Sequence, residues 1–236
     1  MGQKKLIRFA ELREFPNVKE FPTDIAGNWH SFFGNHQPIT LELACGKGEY
    51  TLGLARLHPT QNFIGVDIKG NRIWVGAKKA LTENLTNAGF LRTQIEQLPH
   101  YFSPGEVNEI WITFPDPQLR FSKAKKRLTH PVFLRKYQQI LKPTGRIHLK
   151  TDSPNLYRFT QLVTEFYQCP VHSSTNDVYG ASAIAEELKI QTHYESLDIA
   201  GSKKIHYTCF SLPAQLGDKD KDSQFKNLLL QEEGLS

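Results

Sequence analysis

The chain has 236 residues, of which 39% are hydrophobic and 22% are charged, and its formal net charge is +5. This length predicts one sizeable core, near the upper limit for a single domain. No apolar run reaches the roughly 20 residues that span a bilayer, and the first residues lack the apolar stretch of a signal peptide. Three widely separated cysteines form no CxxC pair, so neither a disulfide framework nor a metal site is indicated. We therefore expect a soluble protein of the cytoplasm.

Up to about Cys169, short β-rich runs alternate with longer helical patterns, which predicts a parallel sheet built of βαβ units. The predicted strands are 39–45, 62–68, 90–93, 109–114 and the second part of 142–151. The predicted helices are 49–58, 71–84, 131–141 and 154–167, and the last two begin at a proline, which the first helical turn tolerates.

The C-terminal part of the chain has a weaker pattern. Residues 203–212 alternate as a strand should, and the preceding run 188–195 is its expected antiparallel partner. The pattern therefore predicts an α/β, Rossmann-like fold, with a mostly parallel central sheet, helices on both faces and an antiparallel C-terminal strand. We divide the chain into an N-terminal basic lead-in, a main domain and a polar, loose tail, at residues 1–38, 39–212 and 213–236.

The first candidate site is the ELACGKG segment at the end of the first long strand. Gly46 and Gly48 allow backbone N–H groups to approach a ligand closely. A dinucleotide fingerprint needs a third glycine where Thr51 stands, which argues against a dehydrogenase. Glu42 precedes the glycines, and Asp67 ends the second strand, where it can accept the ribose hydroxyls of a nucleoside or merely cap the next helix.

The second candidate site is the Pro-Asp-Pro segment around Asp116, which follows the fourth long strand. The flanking prolines stiffen the backbone and position this carboxylate. From Pro117 to Thr151 there is no acidic residue, although ten of the chain's 29 basic residues lie there; the other 19 face 24 acidic residues, a balance of −5. This local excess of positive charge indicates a polyanionic partner or a solvated face.

Four separated motifs together resemble the bacterial tRNA (guanine-N7)-methyltransferase family. They are ELACGKG (42–48), PDPQLRFSKAKKRL (115–128), TDS (151–153) and THYE (192–195). The second has the spacing of the family's PDPWPKKRHHKRRL signature and ends in the same KKRL-like run. The resemblance covers most of the chain, and it implies a class I methyltransferase fold.

The resemblance also implies an enzyme that transfers a methyl group from S-adenosylmethionine to N7 of a guanine in tRNA, releasing S-adenosylhomocysteine. The implied protein is a monomer or homodimer without a metal. Asp116 is the implied catalytic residue. The implied cofactor residues are Glu42, Gly46, Gly48, Asp67, Gln94 and Asp116. The implied substrate residues are Arg120, Asp152, Thr192, His193, Tyr194 and Glu195.

The chain departs from the family pattern at three places. Gln118-Leu119 replaces Trp-Pro, Phe121-Ser122 replaces a basic pair, and Gln94 replaces an acidic residue. Two other classes of function stay open on the residues alone. A methyltransferase for a small molecule would use the same Glu42 and Asp67 without the basic run, and a non-catalytic RNA-binding protein would keep the fold without binding the cofactor.

Guanine N7 carries its lone pair without losing a proton, so the implied reaction needs no general base and depends on positioning. The purine gains positive charge, which Asp116 or Asp152 can stabilise. The guanine N1–H and amino group are adjacent donors that Glu195 or Asp152 can accept together.

Overall fold

Eight strands form one mixed sheet in the computed structural model, which describes residues 2–193, 195–197, 201 and 204–232. The strands are β1 (Val18–Glu20), β2 (Ile39–Leu43), β3 (Asn62–Asp67), β4 (Ala88–Arg92), β5 (Val107–Thr113), β6 (Leu141–Thr151), β7 (Val171–Thr175) and β8 (His206–Phe210). Their order across the sheet is β1-β4-β3-β2-β5-β6-β8-β7. Strands β1 to β6 pair in parallel, whereas β8 is antiparallel to both β6 and β7.

Seven α-helices accompany the strands in the described part of the chain. They are α1 (Gly2–Glu14), α2 (Trp29–Phe33), α3 (Glu49–Leu57), α4 (Gly70–Thr82), α5 (Pro131–Gln138), α6 (Pro154–Phe166) and α7 (Lys219–Glu232). Helices α2, α5, α6 and α7 bury apolar side chains against one face of the sheet, and α1, α3 and α4 do so against the other. Strands β2 and β3 are buried along their whole length, as parallel strands covered on both faces must be.

The predicted fold is confirmed in its main features. The strands that flank the two candidate sites lie where the apolar runs predicted them, within two residues at each end. Helix α6 begins as its sequence predicts, with Pro154 in the first turn and the Ser153 hydroxyl accepting a hydrogen bond from the Leu156 N–H group at 3.2 Å. The antiparallel C-terminal strand is also present.

The predicted partner of that strand is wrong. Strand β8 pairs with β6 and β7, whereas residues 188–193 contain the end of a 3₁₀ turn (Glu186–Lys189) and irregular backbone. The alternation of apolar and polar residues in this segment arises because it lies across α3: Leu188 is buried there, and Ile190 packs beside Gly53. Backbone carbonyls of the segment bond to side chains instead of a neighbouring strand.

The two terminal segments are more structured than expected. Strand β1 extends the sheet beside β4, and Leu12 of α1 is buried. The tail was predicted to be loose, but α7 packs Phe225 and Leu229 into the core. The Arg135 guanidinium fixes α7 by bonding the Asp222 carboxylate at 2.6 and 2.8 Å. The amphipathic pattern in this helix is diluted by charged residues, which explains why the sequence alone predicted it poorly.

No helix among the described residues is long and apolar enough to cross a membrane. Within the same residues, no group of three or more His, Cys, Asp or Glu side chains is placed to hold a metal ion.

Candidate active site

A cleft of about 740 Å³ opens at the carboxyl ends of the parallel strands. From β2 the chain continues to β3 and β4 on one side of the sheet and then returns to β5 and β6 on the other. The crevice between β2 and β5 is therefore the position at which open α/β sheets bind ligands. Residues at and after the ends of β2, β3, β5 and β6, together with Thr192, line the cleft. The lining residues are Glu42, Ala44–Lys47, Glu49, Asp67, Lys69, Arg72, Thr113–Pro117, Leu119, Asp152–Asn155 and Thr192.

The loop after β2 approaches the cleft in an unusual backbone conformation. Ala44, Gly46 and Gly48 all have positive φ, at 57°, 57° and 68°. Glycine is required at position 48, because a Cβ atom there would lie 2.5 Å from the Phe90 ring. Helix α4 packs equally closely against the loop: a Cβ atom on Gly76 would lie 2.5 Å from the Lys47 carbonyl oxygen. These close approaches leave the loop backbone as one wall of the cleft.

The Glu42 carboxylate lies at the floor of the cleft and is only 3% exposed. One oxygen accepts hydrogen bonds from the backbone N–H group of Thr51, at 2.7 Å, and from the Thr51 hydroxyl. The other accepts the Thr113 hydroxyl at 2.8 Å. Burial raises the pKa of Glu42 to about 7, although the hydrogen bonds from Thr51 and Thr113 oppose that shift. Thr51 stands where a dinucleotide fingerprint needs a glycine. In this structure it orients the Glu42 carboxylate in the cleft.

Asp67 ends β3 and fixes the glycine loop against the strand. Its two oxygens accept hydrogen bonds from the backbone N–H groups of Gly46, at 3.0 Å, and Lys69, at 2.8 Å. The alternative in which Asp67 only caps the next helix is not supported by the bond to Lys69, because Lys69 precedes the first residue of α4 and the capped N–H groups of a helix lie in its first turn. It does not account for the bond to the loop or for the position of the carboxylate in the cleft wall.

Asp116 lies on the opposite wall in a strained turn. Phe114 and Gln118 both have positive φ, at 46° and 48°, and the Asp116 carboxylate accepts the Gln118 N–H group at 2.9 Å. The turn is held from behind by Arg127, which is 3% exposed and lies 4.5 Å from the centroid of the Phe159 ring. Its guanidinium donates to the carbonyl oxygens of residues 117–119 at 3.2–3.5 Å.

The predicted substrate residues are divided between the cleft and its surroundings. Asp152 and Thr192 line the cleft. His193 does not line the cleft, but its backbone N–H group donates a hydrogen bond to the lining residue Glu49 at 2.8 Å. The Glu195 side chain is buried, and its carboxylate accepts hydrogen bonds from the Lys150 ammonium, at 3.0 Å, and from the Tyr179 hydroxyl. Tyr194 lies outside the described residues.

Two further predicted residues are exposed and do not line the cleft. Gln94 immediately precedes a 3₁₀ turn after β4, and Arg120 immediately precedes another at Phe121–Lys126. Their assignment to the cofactor and the substrate stays a prediction.

The basic side chains of the 117–151 run lie in several different parts of the structure. Lys150 and Arg127 are buried, and Arg135 is paired with Asp222. Lys142 and Arg146 lie towards the amino end of β6, at the sheet edge opposite the cleft. The exposed positive charges of this run that follow the cleft residue Leu119 are those of the 120–126 flap: Arg120, Lys123, Lys125 and Lys126. Outside the run, Lys47 and Lys69 are also exposed and line the cleft itself. Phe121 packs inward against the core.

Several residues of the site were missed by sequence reasoning. Thr113 and the Ser153–Asn155 turn line the cleft, and Lys150 and Arg127 support its walls. The position of Thr113 at a strand end was a usable signal. A buried lysine or arginine leaves no such signal, because its partners lie far away in sequence.

The strand order, the cleft and the antiparallel C-terminal strand define the class I methyltransferase fold. A 30S ribosomal A1408 methyltransferase from an uncultured bacterium has the same fold, with a TM-score of 0.56 over 79% of this chain and 93% of that one, at 16% identity. Residues 36–208 also match a family model described as "Putative methyltransferase".

Relatives with similar sequences show to which family within this fold class the chain belongs. The chain is 46% identical over 224 residues to a tRNA (guanine-N(7)-)-methyltransferase of Bacteroides thetaiotaomicron, which covers 91% of this chain and 88% of the relative. It is 47% identical over 213 residues to a protein of that name from Porphyromonas gingivalis, with 85% and 86% covered. The chain belongs to the tRNA (guanine-N(7)-)-methyltransferase family, and the resemblance inferred from the four motifs is confirmed.

The raised pKa of Glu42 predicts a specific pH dependence of stability. The folded-state pKa of about 7 exceeds the ordinary value of 4.5, so between these values the folded protein binds more protons than the unfolded chain. Raising the pH through this window should therefore lower the free energy of unfolding, by up to about 3 kcal/mol. Glu42→Gln should remove this decline.

Denaturant unfolding of both proteins at several pH values, without added ligand, measures the difference. Glu14→Gln, an exposed change on α1, is the control and should keep the wild-type slope. Parallel stability curves for wild type and Glu42→Gln would show that burial does not raise the Glu42 pKa.

Proposed function

We propose that this chain transfers a methyl group from S-adenosylmethionine to N7 of a guanine in tRNA. The observation that carries the proposal is the convergence of strand-end carboxylates in one cleft, beside an exposed cationic flap. The names of the family relatives support the same substrate and the same atom.

The residues of the cleft fit a nucleoside cofactor. The volume of about 740 Å³ lies within the ordinary range for small-molecule sites. Each oxygen of Asp67 accepts one backbone N–H group, which leaves acceptor capacity for ribose hydroxyls on a carboxylate already held in place. The glycine loop exposes backbone at close range. Glu42, which ionises as the pH rises through its pKa of about 7, supplies negative charge towards the cationic end of the donor.

When bound, S-adenosylmethionine supplies an electrophilic methyl group: its S–C bond breaks as the N7–C bond forms, and the positive charge passes to the purine. The protein holds N7 in line with the methyl group and excludes water. Such positioning supplies up to roughly 7–11 kcal/mol in favourable cases. Asp116, held by its own turn and by Arg127, stabilises the charge that develops on the guanine.

Two carboxylates were candidates for reading the guanine edge. Both Glu195 oxygens already accept hydrogen bonds, from Lys150 and Tyr179, and the side chain is 6% exposed. Asp152 instead lines the cleft. Its position in the cleft lining, which Glu195 lacks, favours Asp152 as the group that accepts the guanine N1–H and amino donors. The cytoplasmic location and the monomeric or homodimeric state stay predictions.

Asp116→Asn tests the proposed chemistry. Removing this charge should lower kcat on tRNA by on the order of 100-fold, because the developing purine cation loses its nearest carboxylate. The readout is transfer of a labelled methyl group to bulk tRNA, with the modified base identified as 7-methylguanine. Asp220→Asn, which removes the same charge from α7, is the control and should keep wild-type activity. A wild-type protein that binds S-adenosylmethionine but methylates only small metabolites, or a base other than guanine, would refute the function.

The flap makes a separate prediction about salt. If its four exposed basic side chains contact phosphates, the logarithm of the tRNA binding constant should fall with the logarithm of salt concentration with a slope of about −3. Changing Lys123, Lys125 and Lys126 to Gln should reduce that slope by about 2. Fluorescence anisotropy over a salt series measures both values. A double variant in which Lys142 and Arg146 are changed to Gln is the matched control, because both residues lie at the opposite edge of the sheet. If the slope decreased in this double variant and not in the flap variant, tRNA would bind elsewhere.

A further inference from the structure

Lys150 is fully buried, which is an unusual position for a lysine. It lies in β6 two residues before Asp152, and its side chain is 0% exposed. Ile147 and Leu149 point into the core on one face of the sheet, so Lys150 projects from the other, towards α3. An ammonium group in such a place must have all its N–H donors satisfied.

The three acceptors of Lys150 all belong to one segment, residues 186–193 with Glu195, which we name the strap. The ammonium donates to the Leu188 and Ile190 carbonyl oxygens, both at 2.9 Å, and to the Glu195 carboxylate at 3.0 Å. A lysine ammonium has three donors, so the match is complete. Burial lowers the pKa of Lys150, and Glu195 opposes that shift, which favours the charged form.

Further hydrogen bonds from the strap to neighbouring elements are made by Glu187, His193 and Glu195, near its two ends. Glu187 accepts the Tyr50 hydroxyl through its carbonyl oxygen, and its carboxylate lies 2.8 Å from His58 Nε2 in a partly exposed pair. The His193 N–H group bonds to Glu49. Lys150 links the Leu188 and Ile190 carbonyl groups to the Glu195 carboxylate at the end of the strap.

The strap carries a cleft residue between its Lys150 contacts. Thr192 lines the cleft, and its hydroxyl accepts the Glu195 N–H group at 3.2 Å. Ile190 and Glu195, both bonded to Lys150, flank it in sequence. A displacement of the strap would therefore move Thr192, whereas Glu42 and Asp67 are held by bonds within other elements.

We propose that Lys150 is a positioning residue for the guanine substrate: its ammonium fixes the strap across α3 and so sets Thr192 in the cleft. This inference rests on the proposed methyl transfer to tRNA. It assigns no contact between Lys150 and the substrate. It predicts that the substrate half of the cleft depends on Lys150 and that the cofactor half does not.

Lys150→Met tests the proposal, because methionine keeps the apolar bulk of the stem and removes the three donors. The KM for tRNA should rise or kcat/KM should fall on the order of 10- to 100-fold, since small misplacement of substrate-positioning groups has effects of that size. The dissociation constant for S-adenosylmethionine, measured by calorimetry, should change less than about twofold, a factor worth only about 0.4 kcal/mol. Amide hydrogen exchange should accelerate in the strap and stay unchanged in β2 and β3.

A second variant separates positioning from simple stability. Lys150→Met leaves Glu195 buried without its cation, which is destabilising in itself. Combining it with Glu195→Gln removes the unpaired charge but restores no donor to the Leu188 and Ile190 carbonyls. We expect the double variant to regain thermal stability while its kcat/KM for tRNA stays low. Lys142→Met, in the same strand at the opposite edge of the sheet, is the control for loss of one lysine.

The outcomes are distinguishable. Unchanged kcat/KM in Lys150→Met overturns the inference, as does parallel loss of cofactor binding and tRNA methylation, or full recovery of activity in the double variant. If Lys150→Met does not fold, the stable double variant decides: wild-type kcat/KM for tRNA would overturn the inference. An inactive wild-type protein would instead refute the proposed function.

Discussion

The buried carboxylate of Glu42 connects the three elements from which the cleft is built. It extends from β2, bonds to Thr51 in the first turn of α3, and bonds to Thr113 at the end of β5. An uncompensated carboxylate at this depth would be costly, so the threonines are needed to keep it ordered and available. Because α3 follows the glycine loop and β5 leads to Asp116, both walls of the cleft take their positions relative to this one group.

The rest of the site follows the same physical logic, in which ionic side chains hold backbone segments at the sheet edge. Asp67 fixes the glycine loop, Arg127 fixes the turn that carries Asp116, and Lys150 fixes the strap. Each contact is charge-assisted and largely removed from water, which makes it stronger and more directional than a surface pair. A reaction that needs no general base benefits from this design, because accurate positioning is the main contribution that the protein can make.

Much of the fold could be predicted from the sequence, because buried parallel strands are continuous apolar runs and their carboxyl ends meet at one edge. Asp67 and Asp116 were therefore predicted to share a crevice, and they do. Features that depend on partners far away in sequence could not be predicted in this way. Lys150 was counted with a basic surface, yet its carboxylate partner is 45 residues away in sequence. Residues 188–195 were predicted as a strand, since the buried residues of the strap alternate against α3. In the tail, only one or two amphipathic turns at 225–230 were predicted as an alternative to a loose segment, because few apolar residues anchor α7.

In the proposed function, the one crevice that opens between the ends of β2 and β5 receives both the methyl donor and the purine. A crystal structure of this chain with S-adenosylhomocysteine tests it most directly. The ribose hydroxyls should bond to the Asp67 carboxylate, with the sulfur between Glu42 and the Asp116 turn. Product bound at another edge of the sheet, or within this cleft but away from both aspartates, would contradict it.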